Sequence, residues 1–190
     1  MAAADGHGAD RVLTLPNLIT LARLLAVPAT VWLMLTARLD LAFIVFLLAG
    51  LSDGVDGFLA RRFGLQSRLG ALLDPIADKA LLSGVMVLLA WLGLLPVWLA
   101  LLVVARDGLI SGGYGLLWAL GLRPPIRPLP ISRLNTAAQI ALAAAALCMG
   151  GFGWPAAAVV AGLGWLAAAT TIASGIAYMP GALRLLAGRA

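Results

Sequence analysis

Glutamate is absent from the 190 residues, and lysine occurs once, at Lys79. Cysteine also occurs once, at Cys148, so an intramolecular disulfide and a cysteine metal site are both excluded. The single histidine, His7, lies in a short polar tail over residues 1–12, which leaves no histidine general base and no histidine metal cluster. A metal bound here takes mainly oxygen ligands, the pattern of Mg²⁺ or Mn²⁺. Charged residues make up only 11% of the chain, less than half the share of about 25% in soluble domains. A soluble core of this size lacks the polar surface to cover it.

Apolar residues are abundant instead. They make up 63% of the chain, and the mean hydropathy is +1.04. The composition predicts an all-α polytopic membrane protein, short enough to form one domain over residues 1–190. Six apolar segments near the roughly 20 residues needed to cross a bilayer fall at about 17–37, 40–62, 69–93, 96–121, 132–150 and 155–179. Pro16, "ARLD" (37–40), "RRFGLQSR" (61–68), "GLLP" (93–96), "RPPIRPLPIS" (123–132) and "GGFGWP" (150–155) break them. The first apolar run lacks a short core followed by a small-residue cleavage site, so it is expected to be a retained helix. The Arg- and Ala-rich bias points to a GC-rich bacterial source.

Charge orients the six segments. With the N-terminus inside, Arg11, Arg61, Arg62, Arg68, Arg123, Arg127, Arg133, Arg184 and Arg189 are cytoplasmic, and the opposite loops carry only Arg38. This positive-inside asymmetry predicts both termini on the cytoplasmic side of a bacterial inner membrane. The same arginines attract anionic lipid headgroups.

Four acids contradict the apolar background. Asp53 and Asp56, with Gly57, Ala60 and Arg61, have a spacing that puts them on one helical face. Asp74 and Asp78 share a face of the next helix, which a short cytoplasmic turn makes an antiparallel neighbour. Carboxylates at mid-bilayer cost about 2.5–3.5 kcal/mol each on insertion scales, so four facing lipid cost on the order of 10 kcal/mol. They are expected to line a hydrated site and to be neutralised there. Two divalent cations do this well; an ion-pair network with Arg61, Arg62, Arg68 and Lys79 is the plainer alternative. Gly57, Ala60 and Gly70 remove bulk beside the acids, which serves helix packing or the approach of a ligand. Pro75 removes a donor and frees the carbonyl of Ala71, most simply as a kink, if the helix starts near Ser67 as N-cap.

The full pattern is D53-x2-D56-G57-x2-A60-R61-x8-G70-x3-D74-x3-D78. It resembles, without a gap, the signature of the CDP-alcohol phosphatidyltransferase family. "LPNLITLARLLAVP" (15–28), "ARDGLISGG" (105–113) and "ISRLNTAAQIAL" (131–142) resemble further helices of its bacterial phosphatidylglycerophosphate and cardiolipin synthases. The resemblance implies a six-helix membrane enzyme, usually a homodimer, with no nucleic-acid partner. Such an enzyme transfers a phosphatidyl group from CDP-diacylglycerol to an alcohol and releases CMP. The resemblance assigns metal binding to Asp53, Asp56, Asp74 and Asp78, and the general base to Asp78. It assigns donor contacts to Gly57, Ala60, Arg61 and Gly70, and, on the first helix, to Asn17, Thr20 and Arg23. The last three can equally be a cap or snorkelling side chains. The signature contains no Ser, Cys or His, so direct in-line displacement is expected, without a covalent intermediate.

The acceptor is left open by the signature. Arg106 and Arg133 are the candidate acceptor-binding residues; for Arg106 the alternative is a structural pair with Asp107. By resemblance, phosphatidylglycerophosphate synthases carry further cations where this chain has Tyr114 and Asn135, so the site is poor in charge for a phosphate monoester. "RDGLIS" and "ISRLNTAAQ" resemble the CMP-forming cardiolipin synthases more closely. Phosphatidylglycerol is thus the expected acceptor and glycerol 3-phosphate the runner-up. A cation transporter is the rival of another class, since intramembrane acids suit ion transport. Against it, the acids cluster toward one side and the chain shows no internal repeat.

Overall fold

In the computed structural model, residues 15–63, 68–121 and 129–187 are described. Side chains are described within them except at residues 15–24, 53–63, 68–78, 80, 118 and 182–187. Six helices and no strand are found among the described residues: α1 (Leu15–Leu35), α2 (Leu39–Phe63), α3 (Arg68–Trp91), α4 (Val97–Ala119), α5 (Pro130–Phe152) and α6 (Ala157–Ala187). Each matches one of the six expected segments to within a few residues, except at the end of α6. That helix runs on through Pro180, although the sequence reading ended it at 179. Proline forfeits one hydrogen bond, to the carbonyl of Ile176, and about two further turns form after it.

The helix ends have local causes. Pro130 occupies the first turn of α5, where its missing N–H removes no bond. Gly153 ends α5 in the left-handed conformation, φ 67°, and its N–H reaches the Met149 carbonyl at 3.1 Å. Beyond α3, Gly93 (φ 74°) and Leu94 donate to the carbonyls of Ala90 and Leu89. Beyond α1 the same double bond forms from Ala37 and Arg38 to Met34 and Leu33, but Ala37 takes the left-handed conformation (φ 59°) without being glycine.

Packing follows from the apolar faces. Met34, Phe46, Val85, Met86, Leu89, Leu99, Leu142 and Leu147 form the largest part of one buried core. Ala138, Ala143 and Ala146 give α5 a small-residue face, which allows close approach within a bilayer. At the end of that helix a Cβ on Gly151 would lie 2.7 Å from the Leu39 carbonyl carbon, and closer still to the Asp40 nitrogen. The start of α2 therefore rests on bare α5 backbone. Among the described residues α1 and α5 each pack against both α2 and α3; direct α2–α3 contact is not among the pairings. The antiparallel face expected between the two acid-bearing helices falls on 53–63 and 68–78, whose side chains lie outside the described residues.

The outer surface is apolar: Leu48, Leu101, Leu109, Ile176 and many others are exposed. Trp32, Trp91, Trp98 and Trp154, also exposed, lie where α1 ends, α3 ends, α4 begins and α5 turns into α6. A tryptophan girdle at one end of a helical bundle marks a membrane–water boundary. Among the described residues Val97–Leu117, Pro130–Phe152 and Ala157–Gly181 are long and apolar enough to cross a membrane. Shorter apolar stretches are found at Leu25–Leu35, Leu39–Ser52 and Leu81–Trp91. The molecule is an all-helical integral membrane protein.

Candidate active site

The backbone is helical through 53–61 in α2 and through 70–78 in α3. The spacing of Asp53, Asp56, Gly57, Ala60 and Arg61, and that of Gly70, Asp74 and Asp78, therefore holds on continuous helices. Asp53 and Asp56 precede the end of α2 by about 15 and 10 Å along the axis; Asp74 and Asp78 follow the start of α3 by about 9 and 15 Å. All four thus lie toward the end of the bundle away from the tryptophan girdle. Their side chains, and those of Asn17, Thr20, Arg23, Gly57, Ala60, Arg61 and Gly70, lie outside the described residues, as does Ser67, the expected N-cap of α3. Four carboxylates in two helical pairs, with no nitrogen or sulfur ligand in the motif, are a donor set that fits a hard divalent cation. Among the described side chains there is no group of three potential metal ligands.

Toward the same end, α4, α5 and α6 meet around Arg106, whose side chain is 9% exposed. Its stem passes Gly175, where a Cβ would sit 3.9 Å from Cγ. One guanidinium nitrogen pairs with Asp107 at 2.6 Å. The other donates to Ser132 Oγ of α5 at 2.9 Å and to Ser174 Oγ of α6. Arg106 thereby ties three helices together, and both readings raised by the sequence, acceptor group and partner of Asp107, are compatible with its position. Its Nε is buried without a protein partner.

One turn deeper, a second polar cluster was not foreseen. Asn135 Oδ1 accepts from Thr170 Oγ1 at 3.0 Å and from Thr171 Oγ1 at 2.8 Å. Gln139 Nε2 donates to Thr171 Oγ1 at 3.4 Å. All four side chains are buried, and Asn135 Nδ2 has no protein partner. An unsatisfied buried donor costs about 1–3 kcal/mol. The signal was in the sequence: Ser132, Asn135 and Gln139 recur at i, i+3, i+7, as do Thr171, Ser174 and Tyr178. Each reads singly as a stray polar residue in an apolar run.

Arg133 is exposed near the start of α5 and is turned away from this buried set. Tyr178 Oη accepts from the Leu129 N–H at 3.3 Å and its ring meets Tyr114 edge-on, tying the entry of α5 to α4 and α6. Lys79, next to Asp78, donates to Ser111 Oγ at 2.7 Å and joins α3 to α4.

Comparison with known proteins agrees with the motif. A profile of the CDP-alcohol phosphatidyltransferase family matches residues 13–173. A cardiolipin synthase (CMP-forming) of Streptomyces coelicolor is 37% identical over 189 residues, covering 93% of this chain and 86% of that protein. A chloroplastic CDP-diacylglycerol–glycerol-3-phosphate 3-phosphatidyltransferase of rice is 38% identical over 94% of this chain. The human cardiolipin synthase (CMP-forming) is 33% identical over 87% of it. The matched region spans 60% of each of the last two relatives.

Proposed function

The chain belongs to the CDP-alcohol phosphatidyltransferase family, and on that premise we propose that it transfers a phosphatidyl group from CDP-diacylglycerol to phosphatidylglycerol, yielding cardiolipin and CMP. The observation that carries this reading is the eight-residue signature on two continuous helices, its acids toward one end of the bundle. We place six membrane spans, with both termini and the site on the cytoplasmic side, on the strength of the arginine asymmetry and the tryptophans at the opposite end. A homodimer is part of the same proposal.

Asp53, Asp56, Asp74 and Asp78 would hold two divalent cations, Mg²⁺ or Mn²⁺. When bound, these supply positive charge to the donor diphosphate and to the departing CMP. Gly57, Ala60 and Gly70 leave room for the nucleotide against the helices. Arg61, with Asn17, Thr20 and Arg23 of α1, holds the phosphates and ribose of the donor. The packing of α1 against both α2 and α3 supports that placement. Asp78 takes the proton of the acceptor hydroxyl as its oxygen bonds to the phosphatidyl phosphorus. The phosphoanhydride bond breaks in line, and its electron pair leaves on CMP.

For the acceptor, the buried cation Arg106 is already paired with Asp107, and Arg133 is exposed. Desolvating a phosphate monoester dianion in such a site is expensive, whereas the phosphodiester of phosphatidylglycerol carries one charge. Arg133 is placed to meet the headgroup at the membrane surface. Glycerol 3-phosphate remains the second reading, favoured by the rice relative at similar identity. The test is a parallel assay of CMP release from CDP-diacylglycerol with each acceptor. Turnover with phosphatidylglycerol is expected; turnover with glycerol 3-phosphate alone overturns the acceptor.

A further inference from the structure

The α3–α4 turn, the end of α5 and the first turns of α4 and α6 leave a cavity of about 350 Å³ between them. It lies at the end of the bundle that carries the tryptophan girdle, whereas the acids of α2 and α3 lie toward the other end. Its wall on α6 is made by residues 157, 160, 161, 164 and 165, a spacing that puts them on one helical face. From Ala157 to Trp165 that face spans about 12 Å along the helix axis. The cavity is therefore a slot that runs along a helix long enough to cross the membrane. Ala157, Ala161 and Gly164 give it room: among the described residues a Cβ on Gly164 would meet only the Leu99 side chain, at 3.5 Å. None of the described lining residues is charged, and their only polar side-chain groups are the indole N–H groups of Trp98 and Trp165. Buried water needs about two to four polar partners, so it is a poor occupant. An empty slot would forfeit dispersion contacts along its whole wall. Trp98 and Trp165, whose rings meet at 5.6 Å, are 47% and 70% exposed, so the wall reaches the surface that faces lipid.

We propose that the slot holds one acyl chain of a phospholipid from the membrane leaflet opposite the aspartates. Such a chain is linear, apolar and at hand on that side of the bundle. The girdle marks the boundary where headgroups give way to chains, so a chain enters the slot from its own leaflet along the helix axis. Within a bilayer, burial away from water adds nothing, and the chain is held by packing against the walls. Selection is by the chain and not by the headgroup, because no charged group stands in the described lining. The site is separate from the one that handles CDP-diacylglycerol and the acceptor, and it does not depend on which alcohol is the acceptor.

The test uses the full chain in phosphatidylcholine vesicles that contain a small fraction of phosphatidylcholine with a diazirine midway along one acyl chain. After irradiation, peptide mass spectrometry locates the adducts. Wild-type protein is expected to carry them on Leu94 and Met149, both half-buried in the wall of the slot, as well as on Leu101, an exposed residue of α4. Gly164→Leu and Ala161→Leu each fill the slot from the same face of α6. Both are expected to lose the Leu94 and Met149 adducts and to keep the Leu101 adduct, which reports ordinary contact with bulk lipid. Phosphatidylglycerol with the same diazirine chain is expected to give the same pattern. Wild-type adducts confined to exposed residues overturn the proposal, whether or not the variants fold. Leu94 and Met149 adducts that survive in a folded variant overturn it, and so does a requirement for one headgroup. A second copy of the chain seated over the slot would keep adducts off Trp98 and Trp165 and overturn it as well. CMP release by the folded variants is expected to keep the wild-type KM for both substrates. A raised KM for either would make the slot part of substrate binding and overturn the separate site, while leaving the phosphatidyl-transfer reading in place.

Discussion

Replacing Arg106 by methionine separates its two roles. The Arg106 and Asp107 side chains are 9% and 16% exposed and 2.6 Å apart. Removing one member of a buried ion pair leaves the other charge uncompensated, at a cost of about 3–5 kcal/mol. The two serines add little, because each can bond to a carbonyl of its own helix. Arg106→Met should therefore destabilise the protein by about 3–5 kcal/mol, most of it the burden of a stranded Asp107. Arg106→Met with Asp107→Leu removes both charges and should recover all but about 1–2 kcal/mol of that loss. Unfolding in mixed micelles titrated with SDS, followed by the fluorescence of the six tryptophans, measures each stability. Turnover should not recover with the fold, because the double variant still lacks the acceptor group. A single variant that loses less than about 1 kcal/mol, or a double variant as unstable as the single, refutes the ion-pair argument. A folded double variant with normal turnover refutes the role of Arg106 at the acceptor.

Asp78→Asn should abolish CMP release while CDP-diacylglycerol binding, measured on the same protein, persists. Ala37→Gly should raise stability by about 0.5–1 kcal/mol, since Ala37 holds a left-handed turn that glycine adopts without strain; a lower unfolding midpoint counts against that turn. Gly151→Ala should lower stability by about 1–3 kcal/mol by forcing α5 from the start of α2, with the KM for either substrate unchanged. Once Cys148 is replaced, a cysteine at Gln66 or Pro125 should label from the cytoplasmic side and one at Gly153 from the outside; the reverse pattern inverts the topology.

Most of the fold was legible because the bilayer leaves the chain few choices. Apolar runs of about 20 residues must be helices there, and Pro130, Gly93 and Gly153 stand at their ends. The end of α6 was misread at Pro180, because a proline beyond the apolar run costs one hydrogen bond and does not stop a helix that is already formed. The short turn after α2 suggested a direct α2–α3 face, which falls on residues whose side chains lie outside the described ones. Among the described residues both helices pack against α1 and α5, partners that side-chain shape sets and turn length does not. The aspartates stood out because charge in an apolar run is costly. Asn135, Gln139, Thr170 and Thr171 did not, since a neutral polar residue in a membrane helix can bond its own backbone, and only the tertiary structure reveals that these four bond one another.

The central claim, that the aspartates of α2 and α3 form a metal-dependent phosphatidyl-transfer site, is tested most directly by metal removal and return. Purified protein stripped of divalent cations should release no CMP from CDP-diacylglycerol, and Mg²⁺ or Mn²⁺ should restore turnover to the wild type but not to folded Asp53→Ala or Asp74→Ala. Release that persists in excess chelator, or wild-type turnover by either alanine variant, contradicts it.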